Sequence, residues 1–152
     1  MKKHFLWACL FVSPLLASDQ VVDLEVARKQ IQAQTIEIVG TAMNLAEAEA
    51  EPFWAIYKQY EAERTQLGDT RVALLNEFMG MAEDMTEDQA KTAAEKHFAM
   101  QKDTIALNQK YYQIMEEQVS ARVAARFVQV MSQIDTVIDS SLASEMPLIG
   151  GF

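Results

Sequence analysis

Between residues 53 and 78 the chain places bulky or long side chains at alternating steps of four and three: Phe53, Tyr57, Tyr60, Arg64, Leu67, Arg71, Leu74 and Phe78. That period follows one face of an α-helix and no face of a strand, because helical side chains realign every three to four residues and strand side chains every two. A seam this long is what one arm of an antiparallel helical hairpin needs. With five Gly and three Pro in 152 residues, the chain reads as one all-α domain long enough to bury a core.

Three helix starts divide it into four helical segments. The clearest is Met85-Thr86-Glu87-Asp88-Gln89, where the Thr86 hydroxyl can accept the N–H of Gln89 while the Gln89 amide reaches back to the N–H of Thr86. A degraded copy, Leu45-Ala46-Glu47-Ala48-Glu49, lacks the capping hydroxyl, so Asn44 is the nearest side chain able to cap, with Glu47 at N3. Ser120 opens the last segment. The first segment, from Asp19 to about Ala42, carries Leu24, Ile31, Ile38 and Ala42 on one stripe with Arg28 and Thr35, and Gly40 loosens its end. Pro52 sits in the first two turns of the second segment, and Gly68-Asp69 marks where that segment would bend. The third segment, to about Gln118, has two apolar stripes. One holds Ala90, Ala93, His97, Met100, Thr104, Leu107, Tyr111 and Ile114; the other holds Ala94, Phe98, Ile105, Tyr112 and Met115. The fourth, Ser120 to about Ser144, carries Val123, Phe127, Val130, Met131, Ile134, Val137, Ile138 and Leu142 before Pro147 and Gly150-Gly151 stop it.

Residues 1–18 read as a secretory signal peptide: Lys2, Lys3 and His4, then an apolar run from Phe5 to Val12, then Ser13-Pro14 and a small-residue end at Ala17-Ser18. The run is far short of the roughly 20 residues of a membrane-spanning helix. The expected organisation is a signal at 1–18, a single helical domain at 19–146 and a C-terminal tail at 147–152, with a periplasmic mature protein that makes no stable membrane insertion. Loss of the signal takes Cys9, the only cysteine, and with Lys2 and Lys3 carries the net charge from −9 to −11. A chain that acidic has no basic patch with which to displace counterions from nucleic acid or anionic lipid.

No catalytic set is visible, so no enzyme and no cofactor are expected. His97, the only histidine of the mature part, stands one turn before Met100; His-x-x-Met offers two soft copper ligands, but a histidine hydrogen-bonded at a helix interface is the plainer account. The acids Glu47, Glu49 and Glu51, and Glu83, Asp84, Glu87 and Asp88, fall near helix starts, where the macrodipole favours carboxylates. Phe53, Trp54, Tyr57, Tyr60, Phe78 and Phe98 read as core. Met43, Met79, Met81 and Met85 are candidates for one adaptable apolar binding patch, since flexible thioethers suit surfaces that accept many partners.

The two frames at Leu45–Glu49 and Met85–Gln89 resemble the signature of the Spy/CpxP group of periplasmic LTxxQ-motif proteins. Phe53-Trp54-Ala55-Ile56-Tyr57 with Tyr60, Lys110-Tyr111-Tyr112, and Ala124-Ala125-Arg126-Phe127-Val128-Gln129 look like a short secreted helical subgroup. The resemblance covers about Ile31 to Leu148. It implies a four-helix hairpin or cradle, often an antiparallel dimer, with envelope-stress roles: ATP-independent chaperoning of unfolded proteins, or regulatory binding of one envelope partner such as the periplasmic domain of a sensor kinase, in some branches linked to metal. The chain departs from that pattern in its incomplete first motif, its negative charge and its lack of histidine clusters.

Overall fold

A computed structural model describes residues 32–145 and 148–150 of the chain. The expected signal segment, Cys9 and the expected helical stretch before residue 32 lie outside the described residues. Helix α1 covers residues 32–43, α2 Glu47–Met79, α3 Glu87–Gln118 and α4 Ala121–Glu145. Among the described residues there is no strand, and the fold is all-α. Backbone contacts divide the chain between Ile36 and Glu37. Of the first unit, residues 32–36 are described and are helical; the second unit, from Glu37, holds the bundle.

Local chemistry sets each boundary. Gly40 does not end α1, which continues three residues further. Asn44 ends it instead, with φ 45°, a left-handed conformation that asparagine adopts more readily than most residues. Asn44 is therefore a helix terminator and not the cap of α2. That cap is Ala46, whose methyl group accepts nothing, and only half of a capping box survives: the Glu49 carboxylate accepts the Ala46 N–H at 2.9 Å. Pro52 removes one intrahelical donor, yet α2 is unbroken through it and through Gly68. At α3 both bonds of the box are made, Gln89 N–H to Thr86 Oγ1 at 3.3 Å and Thr86 N–H to Gln89 Oε1 at 2.9 Å. Ser120 caps α4 by accepting the Val123 N–H on its hydroxyl at 3.2 Å.

Helices α2 and α3 form an antiparallel hairpin. Two ion pairs record its register, Glu63 with Lys110 at 2.7 Å and Glu77 with Lys96 at 2.8 Å, the α3 number falling as the α2 number rises, and beside the first Tyr60 donates to Asn108 at 3.0 Å. Helix α4 turns back along α3 and so runs parallel to α2, meeting it through side chains at Glu49–Arg122, Arg64–Asp135 and Arg71–Asp139. The two arginines of the α2 seam thus face aspartates one turn apart on α4.

The core lies at one end of this arrangement. Phe53, Ile56, Tyr57 and Tyr60 of α2 meet Leu107, Tyr111 and Met115 of α3 and Val123, Ala124, Phe127, Val130, Met131 and Ile134 of α4, with Val39 and Met43 of α1 closing it. Phe127 is its centre, with ring centroids 4.9 Å from Tyr60, 6.3 Å from Phe53 and 6.4 Å from Tyr57. Each large side chain buried there contributes roughly 1.5–3 kcal/mol of transfer free energy. Beyond it the packing thins. The last buried side chain on α2 is Tyr60 and the first on α3 is Leu107, so the distal half of the hairpin is only partly covered. The second apolar stripe of α3 is correspondingly open: Phe98 is 66% exposed and Ile105 is exposed as well, against their expected place in the core.

Candidate functional site

The distal end of the hairpin is where apolar side chains reach solvent together. After Met79 the chain passes through Gly80, Met81, Ala82, Glu83, Asp84 and Met85 to the Thr86 cap. Ala82 is buried and its carbonyl accepts the Gly150 N–H at 2.9 Å, which holds the tail segment 148–150 against the turn. Met79, Leu148 and Ile149 are 49%, 59% and 55% exposed there, and Met81 and Met85 are half-buried beside them. Around these five apolar residues stand Glu83, Asp84, Glu87 and Asp88, all exposed. None of the four makes an ion pair with a described residue, whereas Glu77, further down α2, is neutralised by Lys96.

A shallow groove of about 240 Å³ runs down from this end between α2 and α3, lined by Leu67, Thr70, Leu74, Lys96, Ala99, Met100 and Asp103. Lys96 closes its upper edge, its ammonium 5.2 Å from the centre of the Phe78 ring. Phe98 and Ile105, also exposed, are not among its lining residues and lie on the opposite face of α3.

Met43 does not join the methionine patch. It is 0% exposed in the core, at the start of α2, and the 33 residues of α2 separate it from Met79 by about 50 Å. The physical reason is its place on α1, one turn after the buried Val39 on the same helix face. Leu148 and Ile149 take its place in the patch; the sequence carried no signal for that beyond the apolar tail itself. His97 is exposed, edge-on to Phe98 with centroids 6.1 Å apart, while Met100 lines the groove. No group of three or more His, Cys, Asp or Glu side chains able to hold a metal occurs among the described residues.

The opposite end is a network of satisfied charges. Glu49 accepts the Ala46 N–H, both Arg122 contacts at 2.7–2.8 Å and the Ser120 hydroxyl at 3.4 Å, and the Ala46 bond followed by Arg122 holds its carboxyl below the ordinary range. Leu45 packs beside it against the core. Lys110 first, then the Tyr111 hydroxyl, lowers Glu63 in the same way. A wider groove of about 610 Å³ crosses this end along Arg122, Ala125, Arg126, Gln129, Val130 and Gln133, but Arg122 is bound to Glu49 and Arg126 Nε donates to the Ala42 carbonyl at 2.7 Å. These residues link α1, α2 and α4 structurally.

The fold and this surface describe an all-α bundle with one loosely covered hairpin end; among the described residues no helix is long and apolar enough to cross a membrane. Comparison with family models, with curated proteins and with solved structures finds no match, so the likeness to the LTxxQ group rests on the motifs themselves.

Proposed function

We propose that the chain is a periplasmic binding protein of the LTxxQ kind that holds apolar segments of other proteins without ATP and without bond chemistry, in the manner of a chaperone. The observation that supports this reading most is the uneven packing of the hairpin. A helix pair whose distal half contributes no buried side chain between Tyr60 and the turn, yet exposes Met79, Phe98 and Ile105, has apolar surface available that its own fold does not use. Thioether and aliphatic side chains at a turn adapt to differing partners at little cost.

Dilution of a denatured, unrelated client into the purified protein tests the reading by light scattering. Suppression of aggregation near equimolar ratio is the expected result, and none at a several-fold excess sinks it. A second reading, a regulatory adaptor for one envelope partner, is favoured by the grouping of Met79, Leu148 and Ile149 at one place inside a polar rim. Specific interfaces have this anatomy, an apolar centre with a charged border.

A further inference from the structure

Resting on that reading, we infer that the hairpin end formed by Met79, Met81, Met85, Leu148 and Ile149 within the carboxylates of Glu83, Asp84, Glu87 and Asp88 docks cationic amphipathic protein segments. The apolar centre is on the order of 300 Å² of exposed surface, the size at which a patch on a monomer is often functional. It suits the single apolar stripe of a helix of four or five turns laid across it. The border selects the charge of what arrives. Four carboxylates that pair with no base among the described residues surround the patch, while Lys91 and Lys96 of α3 are paired with Glu95 and Glu77.

Charge complementarity also decides between occupants. A second copy of the chain would bring four more carboxylates against these four, on a molecule whose whole net charge is −9, and like charges facing across an interface are repelled. An anionic lipid surface is repelled by the same border. A segment with Lys or Arg flanking Leu, Ile or Phe at helical spacing gains both contacts, the apolar one for residence and the ionic one for encounter. Glu87 and Asp88 keep their places whatever binds, because the Thr86–Gln89 box fixes the first turn of α3 independently of charge.

Fluorescence anisotropy with three labelled peptides of about 18 residues, sharing one leucine stripe and bearing lysine, glutamate or glutamine on the other face, tests this on the full mature protein. The lysine peptide should bind with Kd in the tens of micromolar, as small interfaces do. The glutamate peptide should bind at least about tenfold more weakly, and moderate salt should weaken the lysine peptide several-fold. The triple change Met79→Ser, Leu148→Ser and Ile149→Ser should remove most binding, and Ile38→Ser, exposed at the other end, should leave it unchanged. Glu83→Gln with Asp84→Asn, both in the turn and outside any helix, should weaken the lysine peptide alone. Equal binding of the lysine and glutamate peptides, indifference to the triple change, or binding of anionic vesicles through the same residues would each overturn the inference. Peptide docking without suppression of client aggregation removes the chaperone reading and leaves the dock. Suppression that survives the triple change, with no peptide bound, does the reverse.

Discussion

Two phenylalanines separate the packed end of the bundle from the open one, and the same substitution at each should give opposite results. Phe127 is 0% exposed and touches the rings of Phe53, Tyr57 and Tyr60. Phe127→Ala removes a buried ring and leaves a cavity whose lining is held by three helices, so little of it can collapse. Such changes cost about 3–5 kcal/mol, and the lost edge-to-face pairs place this one in the upper half of that range. For a chain of this size that is a fall in Tm of about 15 °C. Phe98→Ala, on a ring that is 66% exposed, should stay within about 0.5 kcal/mol of the parent. Urea titration followed by circular dichroism reads both from the midpoints, with m unchanged if only stability has moved. A loss below about 1 kcal/mol for Phe127→Ala, or above about 2 kcal/mol for Phe98→Ala, refutes the division of the molecule into a packed and an open end.

The four tyrosines give a pH signature. Burial first raises Tyr57 and Tyr60, burial and then the Glu63 bond push Tyr111 up to about 12, and the Glu116 bond raises Tyr112. Folding therefore favours the neutral phenols: their contribution is complete below the unfolded value near pH 10, is lost as pH climbs through the folded values, and tyrosinate absorbance at pH 10.5 should be small until the protein unfolds. Thr86→Ala removes the acceptor of one box bond and should cost about 1 kcal/mol, a few degrees of Tm; a fall above about 10 °C would mean that the motif does more than cap. Arg71→Leu should be neutral or stabilising by up to about 1 kcal/mol in a thermal melt, because Arg71 Nε is buried without a hydrogen-bond partner among the described residues while Asp139 is more than half exposed and rehydrates when released. Gly68→Ala meets no atom within 4 Å in the middle of α2 and should raise stability by about 0.5–1 kcal/mol, a gain that disappears if the helix must bend there.

The helices were legible because their signals are local. The four-three seam of α2, the Thr86 box and the Ser120 cap each depend on residues within one or two turns, and the structure places helices over those stretches. What was not legible depends on which partner each face meets. Phe98 and Ile105 belong to the same stripe as Tyr112 and Met115, yet Met115 is buried and Tyr112 packs on the core while Phe98 and Ile105 stay exposed, and no feature of α3 itself says which part of a stripe a neighbour will cover. Met43 and Met79 are equivalent in the sequence because both precede a helix-start frame; Met43 shares the buried face of α1 with Val39, whereas Met79 ends α2 beyond the last buried side chain of that helix. Arg64 and Arg71 occupied apolar seam positions, and their partners Asp135 and Asp139 lie some seventy residues away, beyond the reach of any periodicity.

Packing and presentation are carried by different forces in this chain, and that has a consequence for how the hairpin end would work. The base is held chiefly by apolar burial, which salt strengthens or leaves alone, its partly exposed ion pairs such as Glu63–Lys110 each adding little. The turn is held by neutral hydrogen bonds, Thr86 with Gln89 and Ala82 with Gly150, which salt does not screen. The capture of a cationic segment draws on the exposed carboxylates of the border, whose attraction fades over a Debye length of about 8 Å at physiological ionic strength. Salt should therefore release a bound segment without loosening the turn, while Thr86→Ala should loosen the turn without changing a single charge. If both perturbations lowered binding with the same dependence on ionic strength, docking would be limited by how often the turn is formed, and the acidic border would have no part in it.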